Sequence, residues 1–316
     1  MTRTRAALAI AAAGLSLALT ACAGDASPLP GRSTAPAPDA STPTAIAPDT
    51  SCNPRASRRP SGALPQPGKM PAGSYMAEIQ KKGRLVLGTS QDTLLFSSRN
   101  PLSGQVEGFD VDMGRQIAAA IFGDPNKLQI KVISYDKRVS SAVDGSVDVV
   151  ADTMTANCAR WKDVDFSSIY YEAGQKVLVS TDSKATRIED LGGKKVCAAA
   201  GSTSYVNIGL VKPKPVAVAL PSFGDCLVAF QQNEVDAIST DDTILAGMAA
   251  QDPYAKVVGK KFTEEPYGMA ISPKHPEFTQ FVNAVLEKNR ANGTWAATYS
   301  KWLGGTAPQP PAAQYK

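Results

Sequence analysis

Histidine is nearly absent from this sequence: His275 is the single one in 316 residues, and no Cys-x-x-Cys pair occurs. Zinc sites and histidine-driven acid–base catalysis lack their usual residues, so neither a metal nor a cofactor is expected. Long apolar runs are scarce as well. The one continuous stretch, Ala6 to Leu19, is too short for a convincing membrane span. Charge of one sign is also missing: a formal net charge of +4, without a basic stripe or cluster, argues against a nucleic-acid binder. What the chain does have is length for two domains and 43% hydrophobic residues to fill their cores.

The first residues read as a secretory leader over 1–21, basic at Arg3 and Arg5 and then apolar. It ends in Leu19-Thr20-Ala21-Cys22, which resembles a bacterial lipobox: cleavage before Cys22 would follow attachment of diacylglycerol to its thiol. Loss of the two arginines lowers the charge to +2. The expectation is a monomer, lipid-anchored through Cys22 to the outer face of the cell membrane. Residues 22–73 are crowded with Pro, Ala, Ser and Thr and lack a hydrophobic period, so they read as an extended tether. The end of the chain, 305–316, reads as a disordered tail.

With Cys22 acylated, Cys52, Cys158, Cys197 and Cys226 remain, an even number that suggests two disulfides in one of three pairings. The preferred pairing joins Cys197 to Cys226, both in one expected βαβ neighbourhood. Cys52 with Cys158 would then pin the end of the tether.

The densest signal is VDVVADTMTANCARWKDVDFSSIYY, residues 147–171. Val147 to Val150 suits a strand covered on both faces. Past its end, Thr153, Thr155 and Asn157 offer short polar side chains where open α/β sheets bind ligands, and Arg160 brings a planar fork that matches a carboxylate. A helix capped by Thr155 or Asn157, with a surface arginine, is the plainer alternative.

Around this stretch, helices are expected at Ser74–Lys82 and from Phe109, where Val111, Gly114, Ile117, Ala118 and Ile121 recur in phase and Gly123 and Pro125 stop the run. Asp110 and Asp112 read as first-turn capping acids. Phe96 is expected as an aromatic wall in the loop after the Arg84–Thr89 strand. A strand at Leu128–Ile133 and a helix at Arg138–Asp144 complete a βαβαβ unit, which implies a parallel sheet. Arg138 stands at a helix N-terminus, unfavourable for a cation unless an anion is near.

A second series follows Gln175–Val179, with strands at Lys195–Ala199, Pro215–Ala219 and Val235–Ser239 and a helix at Phe223–Gln232. Its Gly201-Ser202-Thr203-Ser204 turn is either an anion cradle or a capped helix start, and Asp241 is the acid expected to face outward after the last strand. A strand at Tyr267–Ile271 and helices at Phe278–Asn292 and Thr294–Trp302 close the chain.

The words GFDVDMGRQIAAAI, VDVVADTMTANCARWKDVDFS, AAGSTS, DAISTDD and EEPYGMAI, in this order over about residues 75–304, resemble the extracellular solute-binding proteins of family 3, polar amino-acid receptors of ABC importers. The resemblance implies an α/β fold of the periplasmic-binding-protein type II: two βαβ lobes, 74–172 with 266–304 and 173–265, joined by two crossings with a ligand cleft between them. It gives Arg160 the ligand α-carboxylate, helped by Thr155 and the backbone amides of Ser202, Thr203 and Ser204. Asp241 receives the α-ammonium, with the Thr153 carbonyl as second acceptor, and Arg138 a side-chain carboxylate. Ser90, Phe223 and Asp152 depart from the family's patterns near the side-chain end.

The implied partners are glutamate, aspartate, glutamine or asparagine as ligand and an ABC permease in the membrane. A membrane sensor is the alternative partner. An enzyme, such as a lyase or a cell-wall enzyme module, is the alternative class, for which no nucleophile, base and orienter set is legible.

Overall fold

A computed structural model of the protein describes residues 49–316; the leader, the lipobox with Cys22 and the tether as far as residue 48 lie outside the described residues. Two five-stranded sheets carry the architecture. In the first, Leu85–Thr89 lies between Leu128–Val132 and Val149–Val150, both parallel to it, and Ala270–Ile271 and Asp165–Phe166 complete the order. In the second, Lys195–Ala199 is flanked by Val216–Leu220 and Ala237–Asp241, also parallel, then by Gln175–Ser180 and Ala255–Val258. The sheets are not purely parallel: Gln175–Ser180 and Ala270–Ile271 run antiparallel to their neighbours, because each returns from the opposite lobe. The two crossings pair with each other as an antiparallel ribbon, Tyr171–Ala173 against Glu265–Tyr267.

The amphipathic period of the Phe109–Phe122 helix is realised as read. Val111, Gly114, Ile117, Ala118 and Ile121 are buried, and Gly123 ends the helix at φ +78 with its N–H on the Ala119 carbonyl. Val111, Ile117 and Ile121 each contribute about 1.5–3 kcal/mol by leaving water. Gly108 is required at its start: φ is +146, and a Cβ would lie 2.1 Å from the Phe96 carbonyl oxygen. Neither acid of the first turn caps the helix. Asp112 pairs with Arg115 and Lys301, and Asp110 is fully buried.

Both ends of the described chain depart from expectation. Residues 49–73, assigned to the tether by composition, lie against lobe 1. Cys52 is bonded to Cys158, Asp49 pairs with Lys162 at 2.7 Å, and the Ser57 hydroxyl donates to the Phe166 carbonyl at 2.6 Å. The tail is ordered too: Gln314–Tyr315 pairs in parallel with Ala56–Ser57, and the Lys316 ammonium sits 3.6 Å from the Trp161 ring centroid. A two-residue strand held by hydrogen bonds and a disulfide leaves no hydrophobic period to read.

Cys197 is bonded to Cys226 inside the lobe 2 core, so both bridges follow the preferred pairing. Among the described residues no helix is long and apolar enough to cross a membrane.

Candidate functional site

The carboxyl ends of the parallel strands in both lobes meet at one polar cluster. Six buried side-chain nitrogen and oxygen atoms lack a hydrogen-bond partner among the described residues, and four of them sit at these strand ends: Thr89 Oγ1, Asp152 Oδ2, Thr153 Oγ1 and Asp241 Oδ1. The other two belong to Arg290. Buried polar atoms are normally paired, so four orphans at the ends of strands mark a place built to meet something polar.

Arg138 opens its helix and is 2% exposed. Its Nε donates to the Tyr135 carbonyl at 3.0 Å, Nη1 to the Asp152 carbonyl at 2.9 Å and Nη2 to the Gly201 carbonyl at 3.3 Å. Its guanidinium also lies over the Tyr135 ring, 4.5 Å from the centroid. Arg160 follows the Cys158 bridge and reaches the same turn, donating from Nη1 to the Thr155 carbonyl at 2.7 Å and from Nη2 to the Gly201 carbonyl at 3.0 Å. Two arginines of lobe 1 thus share one carbonyl of lobe 2. The turn can come this close because residue 201 is glycine: φ is +75, and a Cβ would approach Asp136 Cα to 2.7 Å. Burial and the charge of Arg138 pull the Arg160 pKa down to about 9, opposed by Glu265 and Asp241.

Asp241 ends the Ala237–Asp241 strand and makes no capping bond. Its Oδ2 accepts from the Tyr267 hydroxyl at 2.6 Å. Burial and the charge of Glu265 hold this carboxyl well above the ordinary range. Thr153 adopts a left-handed backbone, φ +44, and its N–H donates to Asp110 Oδ2 at 2.7 Å. Asp110 also accepts from the Tyr170 hydroxyl at 2.7 Å; burial pushes its pKa up to about 7. Its work is therefore to hold the Thr153 turn rather than to cap a helix. Asp152 accepts the Ser90 N–H on Oδ1 at 2.9 Å, and burial raises its pKa, opposed by Arg138.

Other expected residues fall elsewhere. Phe96 is not a cleft wall; it is fully buried in the lobe 1 core against Phe109, Tyr171 and Tyr267. The Ser202 hydroxyl caps the Thr203–Ile208 helix by accepting from Tyr205 N–H, and the Ser204 hydroxyl donates to Thr240 at 3.0 Å. Thr155 and Thr203 turn their hydroxyls to a residue that sequence reasoning missed. Glu265, on the second crossing strand, accepts from Thr155 at 2.6 Å, Thr203 at 2.8 Å, Thr263 at 2.8 Å and Asn207 at 3.0 Å. It ties a lobe 1 loop to a lobe 2 helix through one buried carboxylate. Its signal was an acid beside Pro-Tyr-Gly, which by itself says nothing of the three distant donors Thr155, Thr203 and Asn207.

An open groove of about 930 Å³ flanks this knot, lined by Arg55, Thr155, Arg160, Thr203, Asn207 and Glu265 among others. Arg138, Asp152, Thr153 and Asp241 do not line it, and the lobes close over them. Gly224 N–H donates to Asp92 at 2.7 Å, and Tyr135 of lobe 1 packs edge-on against Phe223 of lobe 2.

Residues 85–305 match the family model for bacterial extracellular solute-binding proteins, family 3. The chain is 38% identical over 229 residues to an ABC transporter glutamine-binding protein of Bacillus subtilis, covering 72% of this chain and 84% of that one. It is 30% identical over 242 residues to a glutamate-binding protein of Corynebacterium glutamicum, covering 73% and 81%. Among solved structures, an ancestral arginine-binding protein bound to glutamine superposes with a TM-score of 0.64 at 31% identity, covering 71% of this chain and 99% of that one.

Proposed function

The chain belongs to the bacterial extracellular solute-binding proteins of family 3, and on that premise we propose that it is a receptor for a polar or acidic amino acid, held in the cleft and delivered to an ABC importer. The observation that carries this reading is the opposition of Arg160 and Asp241. One guanidinium with N–H groups to spare comes from lobe 1, and one carboxylate with an unpartnered buried oxygen comes from lobe 2. A zwitterion satisfies both: its carboxylate meets the Arg160 fork with the amides of Thr203 and Ser204, the Thr155 hydroxyl being given to Glu265 and the Ser202 amide to the Ala199 carbonyl, and its ammonium meets Asp241 and the Thr153 carbonyl. Arg138, Asp152 and Thr153 then face the side chain.

Because each lobe holds half of the set, the ligand gains all its contacts only when the lobes are together, and binding shifts the population toward closure. The importer reads that closed shape. The ligand is released chemically unchanged, as the family of solute-binding receptors supports. Acylation at Cys22 keeps the receptor at the membrane's outer face, near its permease.

Calorimetric titration of the ligand-stripped protein with a panel of amino acids tests the reading. Micromolar or tighter binding of a polar or acidic member, recovered intact afterwards, is expected; no binding by any of them, or conversion of one, overturns it.

A further inference from the structure

The side-chain end of the cluster offers one acceptor and spare donors in the same corner. Asp152 is fully buried; Oδ1 is taken by the Ser90 N–H, and Oδ2 has no partner among the described residues. Arg138 is bonded to the carbonyl of that same residue, so the two charged groups are held side by side by the backbone between them. A guanidinium carries five N–H groups. Three of these are on the carbonyls of Tyr135, Asp152 and Gly201, so donors remain on Arg138. Of the nearby hydroxyls, Ser90 is held between Thr93 at 3.0 Å and Ser97 at 2.8 Å and Thr93 is tied to Tyr135 at 2.6 Å, while those of Thr89 and Thr153 are unpartnered but uncharged, so the sign of the corner is set by Asp152 and Arg138.

A ligand side chain here must satisfy a cation's N–H and a carboxylate's oxygen together. A carboxylate can take the first and is repelled by the second. An ammonium or guanidinium can take the second and is repelled by the first. A carboxamide carries one carbonyl oxygen and one NH₂ on a planar, uncharged group, and it fits both. Resting on the receptor reading above, we propose that Asp152 and Arg138 together select a carboxamide side chain, glutamine or asparagine, and that Asp152 is the residue that turns the acids away. A site that leaves a buried polar group unpaired discriminates strongly, which is why one carboxylate suffices.

Titrations at pH 8, where the acidic ligands are ionised, compare glutamine, asparagine, glutamate, aspartate and lysine on the ligand-stripped protein and on Asp152→Asn. The expected result is that the better amide binds at least about 100-fold more tightly than its acid and than lysine. In Asp152→Asn the amide-to-acid ratio falls to within about tenfold, mainly through tighter acid binding. Acids or lysine binding as tightly as the amides to the unaltered protein overturns the proposal and leaves the receptor intact. An unchanged ratio in a folded Asp152→Asn overturns the role of Asp152. Failure of all five ligands overturns the receptor reading itself, and this proposal with it.

Discussion

Tyr267 on the second crossing strand donates its hydroxyl to Asp241 Oδ2 at 2.6 Å, leaving the other oxygen of that carboxylate buried and unpaired. The crossing thus fixes the orientation of a lobe 2 charge. Asp241→Asn removes a buried, half-satisfied charge, so the ligand-free protein should gain about 1–3 kcal/mol of stability while amino-acid affinity collapses. Urea unfolding and calorimetry on the same sample check both halves. Unchanged affinity would remove Asp241 from the ammonium site.

Arg160 is the second arm of the proposed zwitterion clamp. Arg160→Ala should cost about 2–5 kcal/mol of binding, because the ligand carboxylate would be buried without its partner. Lysine at this position should recover only part of the loss, lacking the fork. Wild-type affinity in the alanine variant, with circular dichroism confirming the fold, contradicts the assignment.

Glu265 gathers donors from Thr155, Thr203, Asn207 and Thr263. Its alanine variant strands several of these, with an expected stability loss of about 2–4 kcal/mol after the hydroxyls reorient. Affinity should fall as well, since one of the contacts between the lobes is lost. Glutamine, which keeps a carbonyl acceptor, should be milder on both counts. If neither stability nor affinity moves in Glu265→Ala, the carboxylate is a bystander.

Asp110 is raised by burial from 3.8 to about 7. The folded protein therefore holds a proton there that the unfolded chain releases, so this group's contribution is full below pH ~4 and is lost as the pH rises to about 7. Asp110→Asn removes the titration and keeps the shape. The difference in unfolding free energy between the unaltered protein and the variant should shrink or reverse across that window, measured by urea midpoints from pH 4.5 to 7.5. A constant difference rules the linkage out.

Much of this was legible because it is local. The helix from Phe109 declares its buried face every three or four residues, and Arg160 and the first acid of the Asp241-Asp242 pair are charges that follow apolar strands. Asp110 was misread for the same reason: beside a helix start an acid looks like a cap, and only the fold brings Thr153 and Tyr170 to it. Glu265 was invisible, its donors lying as far as 110 residues away. Phe96 had the right chemistry for a wall, but three aromatic neighbours draw it into the core. The ordered ends escaped notice because two-residue strands carry no period and proline-rich composition argues for an extended tether.

The pairing of Ala56–Ser57 with Gln314–Tyr315 also sets an order of assembly. Lobe 2 is one uninterrupted stretch between the ribbon strands, with its own disulfide, Cys197 to Cys226, only 29 residues apart. As the chain emerges, lobe 2 has all its partners once the second crossing is out. Lobe 1 must wait: Ala270–Ile271 has to slide between strands made more than a hundred residues earlier, and its first segment, besides its bridge to Cys158, pairs with Gln314–Tyr315. Pairing over such separations is slow. Lobe 2 is therefore expected to gain protection from hydrogen exchange before lobe 1 during refolding, and simultaneous protection of both lobes contradicts this order.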